Sequence, residues 1–302
     1  MNAPVYPDTR HPPGSGVVSL SQSTSSRKYS IGRILLEKGK ITPEDAERVL
    51  RLQKESGMRF GDAAQKLGLI TEADIQQVLA HQFDYPYLLP GQGGHPPELV
   101  VAYQPFGAQV EIFRAVRSQL MQRWFSAERK ALAIVSSNPG DGVSLFTANL
   151  AVVFSQLGER TLLVDANLRY PQQQQIFNLK DSQGLSDVLA GRAAISDVIS
   201  RIESFVDLSV LPAGTLPPNP MELLSRAQFD DLNEYLVSQF DVILYDTSAF
   251  SSGADALAIA ARTEGVLLVA HKNDTRLADI ATLNEQIIRS GAEVVGSVLI
   301  DF

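Results

Sequence analysis

The sequence predicts an α/β protein, with a mostly parallel sheet flanked by helices and a small all-α domain ahead of it. Three observations carry this expectation. Six short apolar runs, "ALAIVS", "TLLVDA", "VDLSVLPA", "DVILYDTS", "GVLLVAH" and "VVGSVLI", alternate with helical stretches. That is the pattern of strands buried on both faces of a sheet. An internal repeat occupies residues 30–82. Hydrophobic residues make up 44% of the 302 and charged residues 20%, as in ordinary globular chains.

Residues 1–29 are rich in Pro, Gly and Ser, lack apolar periodicity and read as a disordered arm. In 30–82, "IGRILLEKGKITPEDAERVLRLQ" aligns with "FGDAAQKLGLITEADIQQVLAHQ" at an offset of 29, with eight of 23 positions identical. Chance gives about one or two at ordinary residue frequencies. Each copy reads as a short helix stopped by Gly and a second, capped helix. Thr42 and Thr71 are the N-cap candidates, with Asp45 and Asp74 three residues on and Pro43 at the first helical position. The stretch 83–105 is rich in Pro and Gly and reads as a linker. The last domain, 106–302, opens with a helix through "AQVEIFRAVRSQLMQRWF", and further helices are expected at 145–157, 228–238, 254–262 and 276–290.

Charge and composition exclude several function classes. Residues 31–82 are balanced, with eight basic and eight acidic side chains, whereas 83–302 carry 15 basic against 25 acidic. An acidic body without a basic stripe argues against nucleic acid and against direct binding to anionic lipid. Zero Cys excludes disulfides and thiolate metal sites, and the four His have no ligand spacing. No apolar run reaches the roughly 18 residues of a membrane span. The N-terminus has no apolar signal core, so the expected compartment is the cytoplasm.

"NPGDGVS" (138–144) joins the run "ALAIVS" to the helical stretch "LFTANLAVVFSQLG". Strand, Gly-rich turn and helix form the layout of a phosphate-binding loop, in which backbone N–H groups and a helix N-terminus face phosphate oxygens. Gly140 and Gly142 suit the tight turn, and Ser144 stands where a hydroxyl would ligate Mg²⁺. Val143 stands where such loops carry Lys. The stretch alone fits a ligand-free turn equally well. Two later strands, however, end in Asp165 and Asp246. Ligands of open α/β sheets lie beyond the carboxyl ends of the strands, so the three features converge on a nucleotide-type site.

Residues 106–302 resemble the bacterial protein-tyrosine kinases of polysaccharide export, the chain-length-determinant type, within the deviant Walker P-loop ATPases. The family loop P-G-E-G-K-S/T is matched by Pro139-Gly140-Asp141-Gly142-Val143-Ser144. Its motif D-x-D-x-R-x-P is matched by Asp165, Asn167, Arg169 and Pro171, and its third motif by "VILYDTSAF" with Asp246. "GLSDVLAG", "LPAGTLPPNPMELLS" and "VVGSVLIDF" are further similar stretches.

The resemblance implies a P-loop NTPase-like sheet, ATP and Mg²⁺ as cofactors, and a cytoplasmic location peripheral to the inner membrane. It implies work with a membrane-embedded polysaccharide chain-length protein. Gly140, Asp141, Gly142, Val143, Ser144 and Arg169 fall at nucleotide positions; Ser144, Asp165 and Asp246 fall at metal positions, the two Asp also being catalytic. Glu111, Arg114 and Arg117 match the family's E-x-x-R-x-x-R element and imply a homo-oligomer.

Three departures touch the site: Val143 for Lys, Asn167 for the second Asp, and Ser248 for a Pro after Asp246. A C-terminal Tyr cluster, the family's own phosphorylation substrate, is also missing, the last Tyr being Tyr245. The resemblance therefore implies a kinase fold with impaired phosphotransfer. The alternatives are a non-catalytic pseudokinase scaffold or sensor, and a positioning-type ATPase. The repeat at 30–82 is similar to the N-terminal domain of type II secretion ATPases, some of which bind cyclic di-GMP. Arg59, Gly61 and Gln82 are the candidate residues for that ligand, and a protein-docking role is the alternative.

Overall fold

In the computed structural model the described residues are 31–82, 86–89, 91–180 and 183–301, without the side chains of His81 and Gln82. The expected arm, 1–29, lies outside them. The chain divides into two compact units, Met1–Gln82 and Phe83–Phe302.

The described residues of the first unit form four helices, α1 (Ile31–Glu37), α2 (Pro43–Ser56), α3 (Phe60–Lys66) and α4 (Glu72–Gln82). Gly39 and Gly68 end the first helix of each repeat with φ of 65° and 68°, a left-handed turn that costs glycine little. The second helix of each repeat then begins with the same reciprocal cap. Asp45 N–H donates to the Thr42 hydroxyl at 3.2 Å while Thr42 N–H donates to the Asp45 carboxylate. Asp74 and Thr71 repeat this. Helix α2 packs on α3 and α1 on α4, enclosing Ile34, Leu35, Val49, Ala63, Ala64 and Val78. Lys40 of the first repeat pairs with Asp74 of the second at 2.8 Å. That pairing, with the Thr71 hydrogen bonds, holds the Asp74 carboxyl down to about 2.

The second unit begins with α5 (Val100–Tyr103) and α6 (Ala108–Arg123). It continues through β1 (Ala131–Ser136), α7 (Val143–Ser155), β2 (Thr161–Asp165), α8 (Gln173–Ile176), α9 (Leu185–Leu189) and α10 (Ile195–Val198). Next come β3 (Ser200–Arg201), β4 (Leu208–Leu211), α11 (Pro220–Leu224), α12 (Ala227–Gln239) and β5 (Val242–Asp246). The chain closes with α13 (Asp255–Thr263), β6 (Gly265–His271), α14 (Leu277–Arg289) and β7 (Glu293–Ile300). Strand order is β3-β4-β2-β5-β1-β6-β7. Every pairing is parallel except the two-residue β3 against β4.

Alternation along the strands feeds two cores. Leu132 and Ile134 of β1 join α6 and α7 on one face, while Ala131, Ala133 and Val135 join α12, α13 and α14 on the other. Helix α7 is apolar nearly all round, and every residue in it except Ser144 and Leu145 is buried, as a helix sealed between layers must be.

The linker expected at 83–105 is corrected by the structure. Its described part belongs to the larger unit, with Leu99, Val101 and Ala102 fully buried. Proline and glycine do make its backbone irregular, but the run "LVVAY" is apolar and α7 supplies partners for its polar groups. Val101 N–H donates to Asn149 Oδ1 at 3.0 Å, and Asn149 Nδ2 donates to the Glu98 carbonyl at 3.1 Å. Gln156 Nε2 donates to the carbonyls of Pro86 and Val101. The segment is a strap across α7.

Candidate nucleotide site

The site is built at the carboxyl ends of β1, β2 and β5. Gly140 and Gly142 have φ of 91° and 72°, so a side chain at either position would be strained. Gly142 is the N-cap of α7, and no side chain caps the helix there. Its first N–H groups therefore remain donors for an anion. The loop borders a cleft of about 450 Å³, lined by Ser136, Gly140, Val143, Ser144, Asn167 and Tyr170 among others. Glu98 of the strap forms part of the same wall.

Asp141, expected among the nucleotide residues, is turned to a structural task. Its carboxylate accepts from Asn138 N–H at 2.9 Å and from the Thr275 hydroxyl at 2.9 Å, pinning the loop to the turn after β6. Arg169 requires a similar correction. Its guanidinium lies 2.5 Å from Asp255, a carboxylate that is 1% exposed, and is absent from the cleft lining. Ser248, the residue that departs from Pro, donates to the same Asp255 at 3.3 Å. Asn167 lines the cleft, and its Oδ1 accepts from Tyr170 N–H, so this amide organises the turn after β2.

Asp165 and Asp246 are register partners across β2 and β5, both fully buried. Burial, and then the neighbouring Asp246, raise the Asp165 carboxyl well above the usual carboxylate range, against backbone hydrogen bonds from Gln173, Gln172 and Asn167. Burial pushes Asp246 up to about 6, against hydrogen bonds from Gln173 and Ser144.

Gln173, which sequence reasoning missed, ties the parts together. Its Nε2 donates to Asp246 Oδ2 at 2.7 Å and to the Ser144 carbonyl at 3.0 Å, while its N–H donates to Asp165. Asp246 Oδ1 and Gln173 Oε1 stay buried without a hydrogen-bond partner. Two such oxygens behind Ser144 are the chemistry of a hard-cation position. Among the described residues no group of three or more His, Asp or Glu could hold a metal. A cation here would thus depend on Ser144, the strand-end carboxylates and the ligand's own phosphates.

The other expected positions lie elsewhere. Arg114 bonds Glu111 and the Pro105 carbonyl, and Arg117 donates to the Val153 carbonyl of α7 at 2.8 Å. The two arginines are thus engaged within their own unit, contrary to an outward interface role for both, while Glu111 is exposed. Arg59 is exposed at the N-cap of α3. Gly61 is buried where a Cβ would press on Ile75 at 3.3 Å, so helix packing accounts for it. The Gln82 side chain lies outside the described residues.

A loop, an uncapped helix end and two strand-end carboxylates on a mostly parallel sheet define a P-loop NTPase-like protein. No protein-family model matches the chain. The chain is 33% identical to the tyrosine-protein kinase CpsD of Streptococcus agalactiae, over 63% of its own length and 82% of that protein. It superposes on the kinase domain of the Escherichia coli tyrosine kinase ETK with a TM-score of 0.66 at 27% identity, covering 72% of this chain and 86% of that domain. With the chimerical protein CapA2B2 the TM-score is 0.64 at 33% identity, covering 75% of this chain and 99% of that one. The chain belongs to the bacterial tyrosine-protein kinases.

Proposed function

We propose that this chain binds ATP with Mg²⁺ weakly and transfers phosphate poorly or not at all, as an impaired tyrosine kinase of exopolysaccharide synthesis or export. The observation that carries this reading is the loop without a cation: Val143 holds the lysine position, and it is 9% exposed within an apolar cluster that includes Phe113 and Phe146. Arg169, the nearest motif cation, is held by Asp255. Phosphoryl transfer proceeds by positioning and by neutralising charge on the transferred group. Losing one preorganised donor costs about 10²–10³ in rate.

What remains supports binding. Gly140, Gly142 and the first turn of α7 would hold phosphate oxygens. Ser144, Asp165 and Asp246 would hold Mg²⁺, which when bound would neutralise phosphate charge. Asp165 and Asp246 would organise that metal and the attacking hydroxyl. Tyr245 is no acceptor, since it is sealed in the core with its hydroxyl on Asn233, and burial raises its pKa. Tyr170, 67% exposed on the cleft wall, is accessible.

The partner in this reading is a membrane-embedded chain-length protein. Among the described residues no helix is long and apolar enough to cross a membrane. The 30–82 repeat is proposed as a docking or sensor module.

The test is incubation of the full chain with ATP and Mg²⁺ followed by phosphotyrosine detection, with Asp246→Ala as control. Little or no signal is expected. Strong labelling that Asp246→Ala abolishes would overturn the impairment.

A further inference from the structure

We infer that this cleft prefers a nucleoside diphosphate to the triphosphate. The inference rests on the nucleotide reading above and goes further by assigning the ligand's charge state. In a phosphate loop the backbone N–H groups cradle the α- and β-phosphates, and the Lys reaches the β- and γ-phosphates. Here the first set of contacts is intact. Gly140 and Gly142 keep the turn open, and no side chain caps α7.

The second set is removed at three points. Val143 offers no donor. Arg169 is fixed on the buried Asp255 by two hydrogen bonds and does not line the cleft. Among the described residues that line it there is no Lys and no Arg, and the single charged member is the carboxylate of Glu98. A γ-phosphoryl group would bring added negative charge into a space that holds a like charge and no protein cation. It would gain no contact with a lysine or arginine in return, and a diphosphate does not need that contact.

The cation position points the same way. The unpartnered Asp246 Oδ1 and Gln173 Oε1 sit behind Ser144, at the root of the loop. Mg²⁺ held there by Ser144 and the strand-end carboxylates would neutralise phosphate charge for a diphosphate as for a triphosphate, and it would not restore the hydrogen bonds of the missing lysine.

The experiment is calorimetric titration of the full chain with ADP, with a non-hydrolysable ATP analogue and with AMP, each with Mg²⁺. ADP should bind at least as tightly as the analogue. AMP should bind about tenfold more weakly than ADP, the worth of one charge-assisted hydrogen bond. Val143→Lys should shift the ratio toward the triphosphate by about tenfold on the same basis. Glu98→Gln should strengthen binding of the analogue more than binding of ADP, because the triphosphate carries the larger negative charge. Should Val143→Lys fail to fold, the unmodified chain and Glu98→Gln still decide the question. Tighter binding of the analogue than of ADP by the unmodified chain overturns the inference and leaves nucleotide binding standing. Absence of heat with all three ligands would instead remove the nucleotide reading itself.

Discussion

Arg169 and Asp255 form an ion pair whose carboxylate is 1% exposed while the guanidinium is 32% exposed. Removing the arginine leaves Asp255 buried with the Ser248 hydroxyl as its remaining recorded side-chain donor. Breaking a fully buried pair costs about 3–5 kcal/mol, and solvent reaching Arg169 reduces that to about 2 kcal/mol. Arg169→Ala should therefore lower the free energy of unfolding in urea and leave ADP affinity little changed. A large loss of affinity without loss of stability would return Arg169 to the cleft. The role of Gln173 follows the same logic of distance. One glutamine in the run "QQQQ" touches Asp246, 73 residues away, and nothing in local sequence distinguishes it from its neighbours.

The strap shows which elements sequence could and could not supply. The six apolar runs became strands because burial on both faces demands continuous apolar sequence, and that demand is local and visible. The loop was legible for a related reason, since left-handed backbone selects Gly140 and Gly142. The strap was read as a linker because its Pro and Gly are local signals, while its anchors, Asn149 on α7 and Gln156 at its C-terminal cap, sit some 50 to 70 residues away. The two-residue β3 carries too little sequence to be seen. Asn149→Ala would orphan the Val101 N–H and the Glu98 carbonyl, at about 2 kcal/mol for unmet buried groups. Hydrogen exchange should then show 86–105 losing protection ahead of the sheet. Uniform loss across the larger unit would mean the strap is not a separate element.

At the scale of the whole molecule, self-association is proposed through α6. With Arg114 and Arg117 bonded inside the unit, the outward surface of that helix includes Glu111 and Ile112, the latter 60% exposed. Sedimentation velocity should show oligomers that Ile112→Asp disperses, and an unchanged mass distribution would remove α6 from any interface. In the proposed reading, fold and chemistry separate in this chain. Val143 on the first turn of α7 packs into the core without disturbing the sheet, so the family fold persists with an apolar side chain where the resembling loop carries Lys. The direct test is steady-state ATP turnover of the paired variant Val143→Lys with Asn167→Asp beside the unmodified chain. The account predicts near-background turnover for the unmodified chain and a rise of tenfold or more in the variant, part of the roughly 10²–10³ that one preorganised donor supplies. Brisk turnover by the unmodified chain, with no gain in the variant, would contradict it.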